Sequence, residues 1–130
     1  MKIMIVDDSE FMRNVIRKIL EVSGYTDFIE ADSGSRAMMM LPEADIILTD
    51  LNMPGMDGEL LIREIRKSER YHNIPICVIT GQNNQRTVAN ILKMGVDDYI
   101  TKPFNQQLLR EKTERLEKTF MERRRSVKTI

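Results

Sequence analysis

Five short apolar runs recur along this chain, each followed by a longer segment of helical period, and that alternation restricts the fold more than any other feature. The runs are Ile3-Met4-Ile5-Val6, Phe28-Ile29-Glu30-Ala31, Ile46-Ile47-Leu48-Thr49, Ile76-Cys77-Val78-Ile79-Thr80 and Asp98-Tyr99-Ile100. Three of them are apolar on successive residues, so both faces of each predicted strand must be covered by helices. Between the runs, Phe11, Val15, Ile16, Ile19 and Leu20 keep the spacing of one helix face, as do Leu60, Leu61 and Ile65 and then Val88, Ile91 and Leu92. A final helical stretch extends from Phe104 through Leu108, Leu109 and Leu116 to Phe120. Ser23-Gly24, Ser33-Gly34, Pro54-Gly55, Asp57-Gly58, Gly81, Gly95 and Pro103 punctuate the borders. Five βα units joined by right-handed crossovers predict an α/β fold: one doubly wound, five-stranded parallel sheet.

Composition removes several function classes. With 130 residues the chain has the length of one domain, so its surface is the expected output. Twenty basic side chains balance twenty acidic ones, which argues against nucleic-acid binding through bulk charge. One cysteine, Cys77, cannot close an internal disulfide and reads as a small buried hydrophobe, and with the single His72 it leaves too few soft ligands for zinc. Asp7 and Asp8 interrupt the first apolar run before a signal-peptide core is complete, and no run approaches the roughly 20 residues of a membrane span. A cytoplasmic protein is expected.

In an open parallel sheet, ligands gather at the carboxyl ends of the strands. There the first run ends in Asp7-Asp8, the third in Asp50, the fourth in Thr80 and the fifth in Thr101-Lys102. Each has a bland reading: Asp7 and Asp8 could cap a helix, Asp50 could open a turn, Thr80 suits a strand, and Lys102 is an ordinary surface lysine. None explains why all converge on one edge. Three carboxylates and an ammonium suit a hard cation and a phosphoryl group: Mg2+ takes oxygen ligands, and a carboxylate can accept phosphate covalently. Asp50 is the candidate nucleophile, with Lys102 and the metal neutralising charge.

These motifs make the chain resemble the receiver domains of two-component response regulators, single-domain chemotaxis type, over about residues 1–120. The matching segments are Ile5-Val6-Asp7-Asp8-Ser9, Thr49-Asp50-Leu51-Asn52-Met53-Pro54-Gly55-Met56-Asp57-Gly58, Ile79-Thr80-Gly81 and Tyr99-Ile100-Thr101-Lys102-Pro103-Phe104. The resemblance implies a flavodoxin-like (βα)5 fold. It implies that a sensor histidine kinase phosphorylates Asp50, that Asp8 ligates Mg2+ directly, that Asp7 acts mainly through metal-bound water, and that Asn52 offers its backbone carbonyl. Thr80 would be the switch hydroxyl, Lys102 its cationic partner on the phosphoryl group, and Tyr99 the aromatic that changes rotamer. Asn52 and Gln82 occupy places that tune dephosphorylation, and the Lys102-Pro103 bond is implied to be cis. The output face would be the fourth helix, last strand and last helix, engaging a downstream protein such as the flagellar motor switch, with no direct nucleic-acid or membrane contact.

Two other classes compete. A phosphorelay or kinase-regulating receiver would use the same site. A metal-dependent phosphohydrolase of haloacid-dehalogenase type would need a second carboxylate two residues after its nucleophile, where Asn52 stands, and a cap insertion that the chain lacks. A receiver spanning residues 1–121 leaves residues 122–130 as a basic tail, expected to be a solvated end or a docking segment for an acidic partner. Residues 106–130 hold eight basic and four acidic side chains, so the overall balance is a cancellation between an acidic body and a basic end.

Overall fold

The structure, a computed structural model, describes residues 1–81 and 84–128, with side chains described through residue 124. Its elements are β1 (Ile3–Val6), α1 (Glu10–Val22), β2 (Phe28–Ala31), α2 (Gly34–Met40), a 3-10 turn (Leu41–Glu43), β3 (Ile46–Thr49), α3 (Gly58–Lys67), β4 (Ile76–Thr80), α4 (Gln85–Lys93), β5 (Asp98–Thr101) and α5 (Gln106–Lys128). The strands form one parallel sheet in the order β2-β1-β3-β4-β5. The winding direction reverses between β1 and β3, which opens a crevice at their carboxyl ends. This is the doubly wound α/β fold expected from the alternating runs.

Strand parity divides the core in two. Ile3 and Ile5, with Cys77 and Ile79, face α1 and α5 and pack with Ile16, Leu20, Leu109 and Leu116. Met4 and Val6, with Ile76 and Val78, face the other layer and pack with Ala37, Leu61, Ile62, Ile65 and Ile91. Each such aliphatic side chain contributes roughly 1.5 to 3 kcal/mol by leaving water. Truncating Ile47 at the centre of β3 to alanine would cost about 3 kcal/mol.

Every helix opens on a side-chain cap at the carboxyl edge of the sheet. Ser9 accepts from the Met12 amide, Ser33 from Arg36, Asp57 from Leu60, Asn84 from Thr87 and Asn105 from Leu108. Asp7 and Asp8 are therefore not the caps of α1.

Three expectations fail in detail. The sequence spacing places Phe11, Leu60 and Leu92 on the apolar helix faces, yet Phe11 is 75% exposed, Leu92 54% exposed, and Leu60 also exposed. At about 100° per residue, Phe11 lies roughly opposite Leu20, and Leu60 and Leu92 sit beside, not on, the lines through Leu61 and Ile91. Phe104 precedes the last helix, which starts at Gln106 under the Asn105 cap. Gly34 and Gly58 do not separate elements; they are the first residues of α2 and α3.

The last helix also runs on to Lys128. Within that extension Arg123 donates to the Asn73 carbonyl at 2.8 Å and pairs with Asp97. Among the described residues, no helix is long and apolar enough to cross a membrane.

Candidate functional site

Backbone bonding continues past the strand ends and fixes the site residues. The Asp7 amide donates to Ala31 O at 3.1 Å, the Asp50 amide to Val6 O at 2.9 Å, and the Lys102 amide to Thr80 O at 2.8 Å. One carboxylate oxygen from each of Asp7, Asp8 and Asp50 lies within 4.8 Å of the others. Asp7 is 2% exposed and Asp50 9% exposed, whereas Asp8 faces solvent. This all-oxygen donor set fits a hard divalent cation such as Mg2+, which keeps part of its water shell and needs few protein carboxylates.

Lys102 sits between the buried acids. Its Nζ donates to Asp7 Oδ2 at 3.1 Å and to Asp50 Oδ2 at 3.4 Å. The remaining oxygens are held locally: Asp7 Oδ1 accepts from the Ser9 amide at 2.9 Å, and Asp50 Oδ1 from the Leu51 amide at 2.7 Å and the Asn52 amide at 3.4 Å. Burial pushes the Asp50 carboxyl above its ordinary value; Asp7 adds to the rise, while Lys102 and the two amides oppose it. One ammonium among three carboxylates leaves the pocket with surplus negative charge, the condition under which a cation binds strongly.

Thr80 is fully buried at the end of β4, opposite Thr101 in the ladder. Tyr99 pairs with Val78, two residues back along both strands, so Thr80 and Tyr99 share one face of the sheet. The Tyr99 ring is partly buried against the α2–α4 layer, and Lys112 Nζ lies 5.3 Å from its centroid. Asn52 is exposed in the loop after Asp50. The Lys102–Pro103 bond is cis. Gln82, expected to tune dephosphorylation, lies outside the described residues. The structure thus brings Asp7, Asp8, Asp50 and Lys102 together and places Thr80 and Tyr99 along one line leading away.

Sequence reasoning missed two supports of this site. Gly58 reads in sequence as a breaker, but a Cβ there would stand 2.1 Å from the Asp50 carbonyl oxygen and 2.8 Å from Leu51 Cα. Only glycine lets α3 start this close to the aspartate's backbone. Arg13 donates to the Asp7 carbonyl at 2.6 Å and to Glu30 Oε1 at 3.1 Å, buttressing the first acid from α1. Nothing in the sequence pairs Arg13 with Glu30 until β2 is placed beside β1.

Comparison with known proteins agrees with this geometry. The model of the response regulator receiver domain matches residues 3–114. Chemotaxis protein CheY of Pseudomonas aeruginosa is 40% identical over 118 residues, covering 89% of this chain and 95% of that protein. CheY1 of Helicobacter pylori strain 26695 is 41% identical over 117 residues, covering 88% and 94%. The structure of the Vibrio cholerae chemotaxis response regulator CheY4 superposes with a TM-score of 0.80 at 28% identity, covering 88% and 97%. The doubly wound sheet, the acids at its switch point and a match over most of the chain establish that this protein belongs to the response regulator receiver family and is a two-component response regulator.

Proposed function

We propose that Asp50 accepts a phosphoryl group from a sensor histidine kinase and that this chain then binds a partner protein through α4, β5 and α5. The observation that carries the reading is Lys102 Nζ bridging Asp7 and Asp50 inside the three-carboxylate cluster. In the transfer, an Asp50 carboxylate oxygen bonds to phosphorus while the bond from phosphorus to the kinase's histidine nitrogen breaks, its electron pair returning to the imidazole. Asp7, Asp8, Asp50 and the backbone carbonyl of Asn52 would hold Mg2+, which when bound offsets charge on the phosphoryl oxygens. Lys102 is already within hydrogen-bond reach of Asp50 and takes the same part from the other side.

Phosphorylation adds about 1.5 to 2 negative charges and three acceptor oxygens at Asp50. Lys102 can follow the new oxygens by leaving Asp7, and the Thr80 hydroxyl by moving toward them. Thr80 and Tyr99 occupy one sheet face, so space vacated by Thr80 favours inward packing of the ring and reshapes the surface around Lys112. A partner that prefers this arrangement stabilises the phosphorylated form by the same free energy. Asn52 and Gln82 would set how fast Asp50 loses its phosphoryl group. The relatives named chemotaxis proteins support flagellar motor control as the pathway, and a cytoplasmic location follows from that reading. Residues 122–130 would be a basic extension of the receiver rather than part of its switch.

Intact-mass measurement after incubation with acetyl phosphate and Mg2+ tests the central step. One phosphoryl adduct that disappears in Asp50→Asn is expected. Continuous phosphate release from unrelated monoesters without an adduct would instead identify a phosphohydrolase.

A further inference from the structure

The amino ends of β3 and β4, at the opposite end of the sheet from the three aspartates, border a cavity of about 500 Å3. Its basic lining is Arg70, from the segment before β4, together with Arg123 and Arg124 of α5; Phe120, Ile74 and Pro75 give it an apolar wall. Arg123 is already committed to Asp97 and the Asn73 carbonyl. Arg70 and Arg124 are exposed, and among the described residues neither pairs with an acid. Each lies over a ring, Arg70 5.2 Å from the Tyr71 centroid and Arg124 6.0 Å from that of Phe120. Among the described residues of the lining the one carboxylate, Asp45, accepts from the Lys2 amide at 2.7 Å.

We propose that this cavity binds a small organic phosphate, with its phosphoryl oxygens between Arg70 and Arg124 and its planar or apolar body against Phe120, Ile74 and Pro75. The volume falls in the range of about 300 to 1,000 Å3 that encloses small ligands, and such sites combine an apolar lining with few polar anchors. Guanidinium forks match phosphate oxygens in pairs, and unpaired cations at the mouth of an apolar hollow favour a compact dianion over a neutral ligand. The site is separate from the phosphoryl pocket. Occupancy would be felt through Arg123, because its partner Asp97 immediately precedes β5 and also accepts from Arg66 and from the Ile76 amide.

Isothermal titration of the full chain with ATP and with pyrophosphate, in EDTA so that no divalent ion occupies the aspartates, tests the assignment. ATP should bind, pyrophosphate should bind at least about tenfold more weakly because it lacks the body, and Arg70→Gln/Arg124→Gln should weaken ATP by at least about tenfold. Arg36→Gln, on α2, should leave binding unchanged. Both substituted arginines are exposed, so an unaltered thermal melt of the double variant excludes misfolding as the cause. Absence of ATP binding up to about 1 mM overturns the proposal, as does equal affinity for pyrophosphate or binding indifferent to the double substitution. Capture of a hexaglutamate peptide by the same arginines without ATP binding also overturns it and identifies the site as a peptide groove.

Discussion

Replacing Asp50 with asparagine should make the apo protein more stable at neutral pH, although it removes the proposed phosphorylation site. At an effective dielectric of about 20, the Lys102 contact at 3.4 Å favours the Asp50 charge by roughly 5 kcal/mol. An Asp7 oxygen no farther than 4.8 Å away disfavours it by roughly 3.5 kcal/mol, and exposed Asp8 adds a screened fraction of the same amount. Attraction and repulsion nearly cancel, so the desolvation cost of burying the carboxylate is left uncompensated, which is why burial leads the upward displacement of its pKa. Asparagine keeps the oxygen that accepts from the Leu51 amide at 2.7 Å and carries no charge. The expected gain is about 2 kcal/mol, or about 5 to 10 °C in melting temperature for a domain of this size.

The sign with pH follows from linkage. A native carboxyl pKa above the unfolded value means that ionisation disfavours the fold, so the wild type loses stability as pH rises through the native value. The gap between variant and wild type should be full at pH 7, narrow as pH falls, and vanish below the ordinary value of 3.8. Differential scanning calorimetry in EDTA from pH 7 to below pH 4 measures it. Mg2+ at a hundredfold excess over Kd should stabilise the wild type by about 2.7 kcal/mol and the variant, which lacks one of the carboxylates, by less. A variant less stable than wild type at pH 7, or a gap independent of pH, would refute the reasoning.

Other expectations follow from the same contacts. Gly58→Ala drives a Cβ into the Asp50 carbonyl and should cost about 3 kcal/mol in chemical denaturation while also impairing acetyl phosphate labelling of whatever remains folded. Lys102→Gln leaves two buried carboxylates without their cation and should slow labelling at least about tenfold while lowering the apo melt. Asp97→Ala strips the acid shared by Arg66 and Arg123; burial already holds the Arg66 guanidinium below its ordinary pKa. A loss of about 3 kcal/mol is expected, with hydrogen exchange rising at residues 120–124. Cys77 is buried, and burial pushes its thiol pKa up, so it should resist iodoacetamide until the protein unfolds.

The parts of this structure legible in the sequence are those set by local chemistry. Runs such as Ile46-Ile47-Leu48 declare a strand covered on both faces, and breakers such as Ser33-Gly34 and Asp57-Gly58 mark where a helix is near, although the caps at Ser9, Asn84 and Asn105 were not read. Strand-end acids were readable because a parallel sheet collects them on one edge, so Asp7, Asp8, Asp50 and Lys102 could be grouped before any distance was known. What escaped depends on the third dimension. The exposure of Phe11 depends on which face of α1 the sheet covers. Gly58 matters through a backbone it reaches only after the loop from Asp50 folds back, and Asp97 unites Arg66 and Arg123 across 31 and 26 residues. The basic surplus at the end of the chain was visible as composition, but its place beside the open hollow at the amino ends of β3 and β4 was not.

Heteronuclear NMR of the protein with and without beryllofluoride and Mg2+ measures directly whether Asp50 is coupled to the Tyr99 surface. Large shifts are predicted at Asp50, Thr80 and Lys102 and also at Tyr99 and Lys112, with the Tyr99 and Lys112 changes lost in Thr80→Ala while those at Asp50 persist. Shifts confined to the aspartate pocket in the wild type, or Tyr99 shifts unaffected by Thr80→Ala, would contradict it.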